Sequence, residues 1–277
     1  MKKIKIGRIY LILVFILMYA PILYLIVFAF NQGDQMSRFT GFSLRHFQDM
    51  FADHHLVSIL INTFILAFLS SILATLIGTF GALGIYQIRK PSLKNLVLSL
   101  NNILMVSPDV IIGASFLILF TLGGITLGFG SVLLAHIAFS IPIVVLLVLP
   151  KLNEMDTALI RAAQDLGANS YQVLSRVVLP YSWPGIIAGF FMAITYSLDD
   201  FAVTFFVTGN GFSTLSVEIY ARARHGIDLS INALSAVMFL FSLVLVVIYY
   251  FITNPKKHKG GLKIRRRSTI KQHGGIQ

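Results

Sequence analysis

The 277-residue chain contains no cysteine, so it can form no disulfide bond or thiolate metal site, and it has no cysteine nucleophile. Charged residues are also scarce. Asp, Glu, Lys and Arg make up 12% of the sequence, whereas hydrophobic residues make up 56%. A soluble globule of this size needs more polar surface than that. The composition therefore predicts a protein that lies in a lipid bilayer.

Long apolar runs agree with a membrane location. A helix needs about 20 mostly apolar residues to cross about 30 Å of hydrocarbon. Six segments meet this requirement: residues 9–30, 58–86, 96–121, 128–149, 184–208 and 231–253. The first run exceeds the apolar core of a secretory signal and has no small-x-small cleavage site after it, so we expect a retained span. The predicted fold is all-α, with six transmembrane helices.

The positive charges are unevenly divided between the two faces of the membrane. Because the connections between six spans alternate sides, 18 of the 22 Lys and Arg residues fall on the side of the two termini. The other side has only Arg38, Arg45, Arg222 and Arg224. Cytoplasmic loops are enriched in Lys and Arg, so both termini are predicted to be cytoplasmic.

Two parts of the chain are predicted from this arrangement. Residues 1–254 form one transmembrane domain, and residues 255–277 form a basic cytoplasmic tail that we expect to be disordered. The tail would lie near anionic membrane lipid. The net charge of +11 is then explained without nucleic acid as a partner.

Residues 150–183 form a polar cytoplasmic loop that is far longer than a turn requires. Asp156 or Thr157 can cap a first amphipathic helix, and Gly167 supplies its end. Such a helix either rests on lipid headgroups or docks in a groove of another protein. Its alanine-rich, narrow apolar face favours the protein groove.

A second short helix is predicted in the same loop. Ser170 can cap its start, and an apolar stripe runs from Val173 to Val178. Pro180 and Pro184 are expected to end it. The loop should therefore consist of two short helices around a glycine joint.

The stretch "RAAQDLGANSYQVLSRVVLPYSWPGI" resembles the EAA loop of the permease subunits of bacterial ABC importers. That pattern is roughly Glu-Ala-Ala, three residues, Gly, nine residues, an apolar residue, any residue and Leu-Pro. The matching positions are Ala162, Ala163, Gly167, Val177, Leu179 and Pro180. Arg161 stands where the family usually has Glu. The resemblance implies that this loop is a coupling helix seated in a cleft of a cytoplasmic ATPase. The implied contact residues are Arg161, Ala162, Ala163, Asp165 and Gly167.

Three further stretches, "SPDVIIG", "SLDDFAVTFFVTG" and "INALSAVMFLFSLVLVV", resemble the second permease subunit of spermidine/putrescine importers. The similarity extends over about residues 10–253. It implies the type I ABC importer permease fold, a bacterial inner-membrane location and a polyamine substrate. The implied partners are a second permease subunit in a heterodimer, two cytoplasmic ATPase subunits and an external substrate-binding protein.

Nucleotide hydrolysis is not expected on this chain. It has no G-x-x-x-x-G-K-[ST] phosphate loop, and its histidines show no metal-ligand spacing. We therefore expect no catalytic residues, no metal site and no cofactor here, with ATP and Mg²⁺ bound by the partner ATPase.

Acidic residues within the predicted spans are the candidate substrate contacts, because an ionisable side chain in lipid is costly unless it is paired or hydrated. An ammonium beside a carboxylate and an aromatic ring gains Coulomb and cation–π stabilisation. The candidate pathway residues for a cation are Asp109, Tyr196, Ser197, Asp199 and Asp200.

Each acid also has a structural interpretation. Asp109 follows Pro108 and can stabilise a helix start, which Ser107 can cap. Asp199 and Asp200 can pair with a neighbouring helix. His136, in the fourth span, is interpreted as a hydrogen-bonded packing residue in preference to a proton relay.

Other functions are alternatives to a polyamine permease. An ABC permease for another small cationic or neutral solute is one alternative. A secondary transporter that uses the intramembrane acids is another, but it leaves the 150–183 loop unexplained. An aspartyl protease is disfavoured because adjacent acids on a helix point about 100° apart. The external loop 209–230, with Glu218 and Asp228, is a candidate contact for a binding protein.

Overall fold

The computed structural model describes residues 6–225 and 229–253. Apart from an isolated β-bridge between Asn31 and Phe42, the regular structure of these residues is helical. The α-helices are α1 (Ile6–Ala29), α2 (Arg45–Ala52), α3 (His54–Gln87), α4 (Pro91–Val106), α5 (Asp109–Leu122), α6 (Phe129–Glu154), α7 (Thr157–Asp165), α8 (Ser170–Val173), α9 (Leu179–Asp199), α10 (Ala202–Val207), α11 (Leu215–His225) and α12 (Leu229–Thr253). Asp228 and the basic tail lie outside the described residues.

Within the described residues, five helices are long and apolar enough to cross a membrane: α1, α3, α6, the segment Ser170–Asp199 and α12. The predicted third span, 96–121, is not one helix. It consists of α4 and α5, which meet at an angle of 104°. Counting this bent pair as one span gives the predicted six.

Pro108 explains why the third span is broken. Proline disfavours helical geometry in the preceding residue, and Ser107 is accordingly extended, with φ −71° and ψ 141°. The Ser107 hydroxyl donates to the carbonyl of Ile103, so it closes the end of α4. The prediction that Ser107 caps the next helix is therefore wrong.

The fifth span, predicted over residues 184–208, both begins and ends earlier than predicted. Helix α8, a π-helical turn at Leu174–Val178 and α9 form one continuous helix, Ser170–Asp199. The prediction that Pro180 and Pro184 end the second loop helix is wrong, because membrane helices tolerate proline where a local π turn accommodates it. Asn169, not Ser170, caps the start: its Oδ1 accepts from the Gln172 N–H at 2.9 Å.

Helices α3, α6 and α9 form the centre of the membrane domain. Their backbones approach closely at glycines, as is usual in lipid. A Cβ atom at Gly78 would lie 2.7 Å from Cβ of Val144, and one at Gly185 would lie 2.7 Å from the Leu147 carbonyl oxygen. Helix α10 packs on α5, and α12 packs on α1, α2 and α9. This packing brings the break at Asp200 and the start of α5 into one region.

Candidate substrate pathway and coupling segment

The break between α4 and α5 places Asp109 opposite Tyr196 of α9. The Tyr196 hydroxyl donates to Oδ1 of Asp109 at 3.3 Å, although the residues are 87 positions apart. The Tyr196 ring packs edge-on against Phe139 of α6, with 5.0 Å between the ring centroids. Asp109 itself is exposed. Two predicted pathway residues thus come together, in a pairing that the sequence did not indicate.

Asp199 is the last residue of α9 and is also exposed. It lines an open groove of about 520 Å³ between α1, α9, α11 and α12. The groove walls are mostly apolar, with hydroxyl groups at Ser216, Ser235 and Ser242. Among the described residues, no side chain or backbone group forms a hydrogen bond or ion pair with the Asp199 carboxylate. It is therefore available to a partner outside this part of the chain.

The adjacent Asp200 has the opposite environment. Its side chain is only 8% exposed, and Oδ2 accepts from the Thr204 hydroxyl at 2.7 Å and from the Thr204 N–H at 2.8 Å. Ser197 is buried as well, at 3% exposure. The structure thus directs these two predicted pathway residues into the helix bundle, away from the groove. The contacts of Asp200 agree with its structural interpretation, in which the acid pairs with a neighbouring helix. A role of Ser197 or Asp200 in the substrate pathway stays a prediction.

His136 connects these buried groups. Its side chain is fully buried, with Nδ1 2.7 Å from the Ser197 hydroxyl and Nε2 2.9 Å from the Thr204 hydroxyl. The interpretation of His136 as a hydrogen-bonded packing residue is confirmed. Sequence reasoning missed Thr204 and Ser70, whose hydroxyl lies 3.2 Å from that of Ser197. Thr204 stands four residues after Asp200, a spacing that could have indicated the contact.

The predicted coupling helix, α7, has the predicted cap at its start and the predicted glycine after its end. The Asp156 side chain accepts from the Ala158 N–H at 2.8 Å. Gly167 has φ +83°, in the left-handed region that favours glycine, and follows the last turn of the helix. The N–H of Ala168 donates to the Ala163 carbonyl across this joint at 3.0 Å.

Three of the five predicted coupling residues lie on the exposed face of α7, and a fourth, Gly167, follows the helix. Arg161, Ala162, Asp165 and Gly167 are exposed. Ala163 is half-buried and packs against the apolar cluster that includes Val173 and Val178. The helix is therefore attached to the domain on one side and open on the other.

A group of charged residues lies at the opposite end of the domain from α7. The Arg222 guanidinium donates to Asp53 at 3.1 Å and to Glu218 at 2.7 Å, which joins α11 to the start of α3. Burial alone would raise the pKa of Asp53, but the Leu56 N–H and Arg222 hold this pKa below its usual value. Glu218, predicted to face a binding protein, has a side chain only 16% exposed. The described residues contain no group of three or more His, Asp or Glu side chains placed to hold a metal ion.

Known proteins are similar to this chain in sequence or in fold. A family model described as "Binding-protein-dependent transport system inner membrane component" matches residues 74–255. A spermidine/putrescine transport system permease protein, PotC, of Haemophilus influenzae is 33% identical over 258 residues, which cover 93% of this chain and 100% of that protein. A putrescine transport system permease protein, PotI, of Escherichia coli is 29% identical over 90% of this chain and 91% of its own length.

A solved structure is similar over nearly the whole fold. It is the crystal structure of a bacterial ABC transporter involved in the import of the acidic polysaccharide alginate. The TM-score is 0.71 at 17% identity, and the match covers 91% of this chain and 95% of the other. At that identity the likeness concerns the fold alone.

Proposed function

Since the chain belongs to the family of binding-protein-dependent transport system inner membrane components, we propose that it is a permease subunit that imports polyamines. It is a multi-pass membrane protein with the type I importer permease fold, and it is a transport subunit, not an enzyme. The two polyamine permeases compared above support the substrate class, because each matches at least 90% of the chain.

The main support for a cationic substrate is the Asp199 carboxylate, which has no hydrogen-bond or ion-pair partner in the part of the chain that the structure describes. A carboxylate in a largely apolar groove attracts ammonium groups and repels anions. Polyamines are slender chains in which methylene segments separate ammonium groups, so the apolar walls suit the methylenes and the hydroxyls suit the amines. Asp109, with the Tyr196 ring beside it, supplies a second acidic point on a different helix.

This subunit would form half of a translocation pathway, and a second permease subunit would form the other half. Two cytoplasmic ATPase subunits would bind ATP and Mg²⁺, and an external binding protein would deliver the polyamine. The exposed face of α7, with Arg161, Ala162 and Asp165, would contact the ATPase. Both termini would lie in the cytoplasm of a bacterial cell.

Uptake by the assembled importer tests this proposal. The chain is co-expressed with its partner subunits in cells that lack polyamine import, and uptake of radiolabelled putrescine and spermidine is measured. We expect ATP-dependent uptake of one or both, with excess unlabelled polyamine competing and arginine or an acidic sugar not competing. If neither polyamine enters while another solute does, the polyamine assignment is wrong.

A further inference from the structure

Helix α9 ends at a specific point because Asp200 leaves helical geometry, with φ −64° and ψ 119°. Its side chain turns inward and caps the next helix. Oδ1 accepts from the Val203 N–H at 3.3 Å, and Oδ2 accepts from both the N–H and the hydroxyl of Thr204. The preceding residue, Asp199, is left at the end of α9 with its side chain exposed.

The direction of each hydrogen bond around His136 can be assigned from the contacts. The hydroxyl hydrogen of Thr204 goes to the Asp200 carboxylate, so the Thr204 oxygen must accept from Nε2–H of His136. In the neutral ring Nδ1 then accepts from the Ser197 hydroxyl. The opposite tautomer would place an imidazole lone pair 3.5 Å from Oδ2 of Asp200. One chain of hydrogen bonds therefore runs from Ser197 through His136 and Thr204 to Asp200.

We propose that His136 is a positioning residue for Asp199: through Thr204 it holds Asp200 inward, and so fixes where α9 ends and where the Asp199 carboxylate points. The inference rests on the proposed function, in which Asp199 attracts the polyamine. It gives Asp200 a supporting role in place of substrate contact. It also explains why a fully buried histidine occupies a position in an otherwise apolar helix.

The backbone around Asp200 is fixed from a second direction, which makes the orientation specific. The Ser216 hydroxyl of α11 donates to the Asp200 carbonyl at 2.6 Å. Ser216 also lines the groove that contains Asp199. If the Asp200 side chain were released, the end of α9 could extend or unwind, and the Asp199 carboxylate would turn relative to the groove. A shift of about 1 Å in a positioned group is enough to impair its action.

The test uses Thr204, because valine has nearly the shape of threonine without the hydroxyl, whereas serine keeps the hydroxyl. Thr204→Val, Thr204→Ser and His136→Phe are each made with Asp199 present and with Asp199→Asn. Uptake of putrescine at saturating concentration is measured in the assembled importer at matched membrane levels. Ser131→Ala is the matched control, since the buried Ser131 hydroxyl also joins α6 to α10, through the Val207 carbonyl, without touching Asp200.

With Asp199 present, Thr204→Val should lower uptake about fivefold, which is the effect expected from the loss of one hydrogen bond. Thr204→Ser keeps the hydroxyl and should restore uptake. In the Asp199→Asn background, Thr204→Val should lower uptake by less than about twofold, because the side chain at position 199 has already lost its charge. His136→Phe should follow the same pattern, and Ser131→Ala should stay near the parent in both backgrounds. The ATP hydrolysed per putrescine imported should rise in Thr204→Val.

Two results would count against the inference in different ways. If Asp199→Asn impairs uptake but Thr204→Val and His136→Phe are harmless, or equally harmful in both backgrounds, His136 does not act through Asp199. The proposed function would survive that result. If Asp199→Asn alone leaves uptake unchanged, the proposed polyamine pathway fails, and the inference fails with it.

Discussion

Asp199 and Asp200 are neighbours in sequence but have opposite surroundings. Asp199 is exposed in an open groove, while the Asp200 side chain is 8% exposed and has three donors within 3.3 Å. A buried carboxylate with several donors is satisfied by its own fold, whereas an unpaired one in an apolar groove requires an external partner. At the scale of residues, the two acids should therefore respond differently to amide substitution.

The acid at the start of α5 should matter less than the acid at the end of α9. Asp109 is held by the Tyr196 hydroxyl and lies in the first turn of a helix, where its charge also favours the helix dipole. We expect Asp109→Asn to lower polyamine uptake by less than Asp199→Asn does. Uptake of radiolabelled putrescine at matched membrane levels measures both.

The control for this comparison is Asp34→Asn, because Asp34 is a highly exposed acid that, among the described residues, forms an ion pair only with the exposed Arg45, at 3.6 Å. It should leave uptake at the parent level, since exposed pairs contribute little. Equal loss in Asp109→Asn and Asp199→Asn would contradict the ranking of the two sites.

The sequence predicted the acids as a group but not their separate orientations. An intramembrane Asp stands out in the sequence because ionisable residues are rare in apolar spans and are costly there unless they are paired or hydrated. Which way each acid turns depends on Thr204 and His136, and on contacts such as that of Ser70 with Ser197, 127 residues away in sequence. Such long-range hydroxyl contacts leave no periodic pattern in the sequence.

At the scale of elements, the glycine joint after α7 is the feature most sensitive to substitution. Gly167 has φ +83°, and proline is locked near −65°, so Gly167→Pro cannot keep this backbone. We expect the variant to remain in the membrane but to lose its ATPase during co-purification, with uptake falling by about tenfold or more, because a misplaced docking helix loses its groove contacts.

Gly211→Pro is the matched control for the joint. Gly211 also has a positive φ, +92°, and a Cβ there would meet nothing within 4 Å, but it lies in the connection between α10 and α11. It should retain the ATPase. Co-purification of the ATPase with Gly167→Pro at the parent level, together with normal uptake, would rule out α7 as the coupling helix.

Element ends were predicted well where they depend on local chemistry. The Asp156 cap and the Gly167 stop follow from short-range hydrogen bonding and backbone freedom, and both are found. The errors involved proline. Pro108 interrupts the third span, which was predicted as one continuous helix. Pro180 does not end the second loop helix, which continues through it. Whether a proline bends, ends or enters a membrane helix is decided by neighbouring turns, which the residue type alone does not show.

At the scale of the whole molecule, the absence of cysteine makes orientation directly measurable. Because the natural chain has no thiol, single introduced cysteines are the only reactive sites. We expect Ser37→Cys, at an exposed position between α1 and α2, to react with an impermeant maleimide in intact cells. Ser268→Cys, in the basic tail, should react only after permeabilisation. Labelling of position 268 but not 37 in intact cells would reverse the topology.

The number of spans and the overall fold were predictable because the bilayer imposes them. The thickness of the hydrocarbon fixes the length of each apolar segment, and backbone hydrogen bonding in lipid permits only helices or closed barrels. The groove beside Asp199 was not predictable, because four separate helices form it. Three of them, α1, α11 and α12, carry no sequence signal that relates them to α9.

The continuous helix Ser170–Asp199 also constrains how the length of the chain can vary. Its 30 residues span about 45 Å, with the glycine joint that follows α7 just before one end and the exposed acid at the other end. An insertion of one residue within it would turn one end by about 100° relative to the other. The loop between α1 and α2 connects no such pair of sites. Among related chains, insertions and deletions should therefore accumulate in that loop. The number of residues between the positions of Gly167 and Asp199 should stay constant.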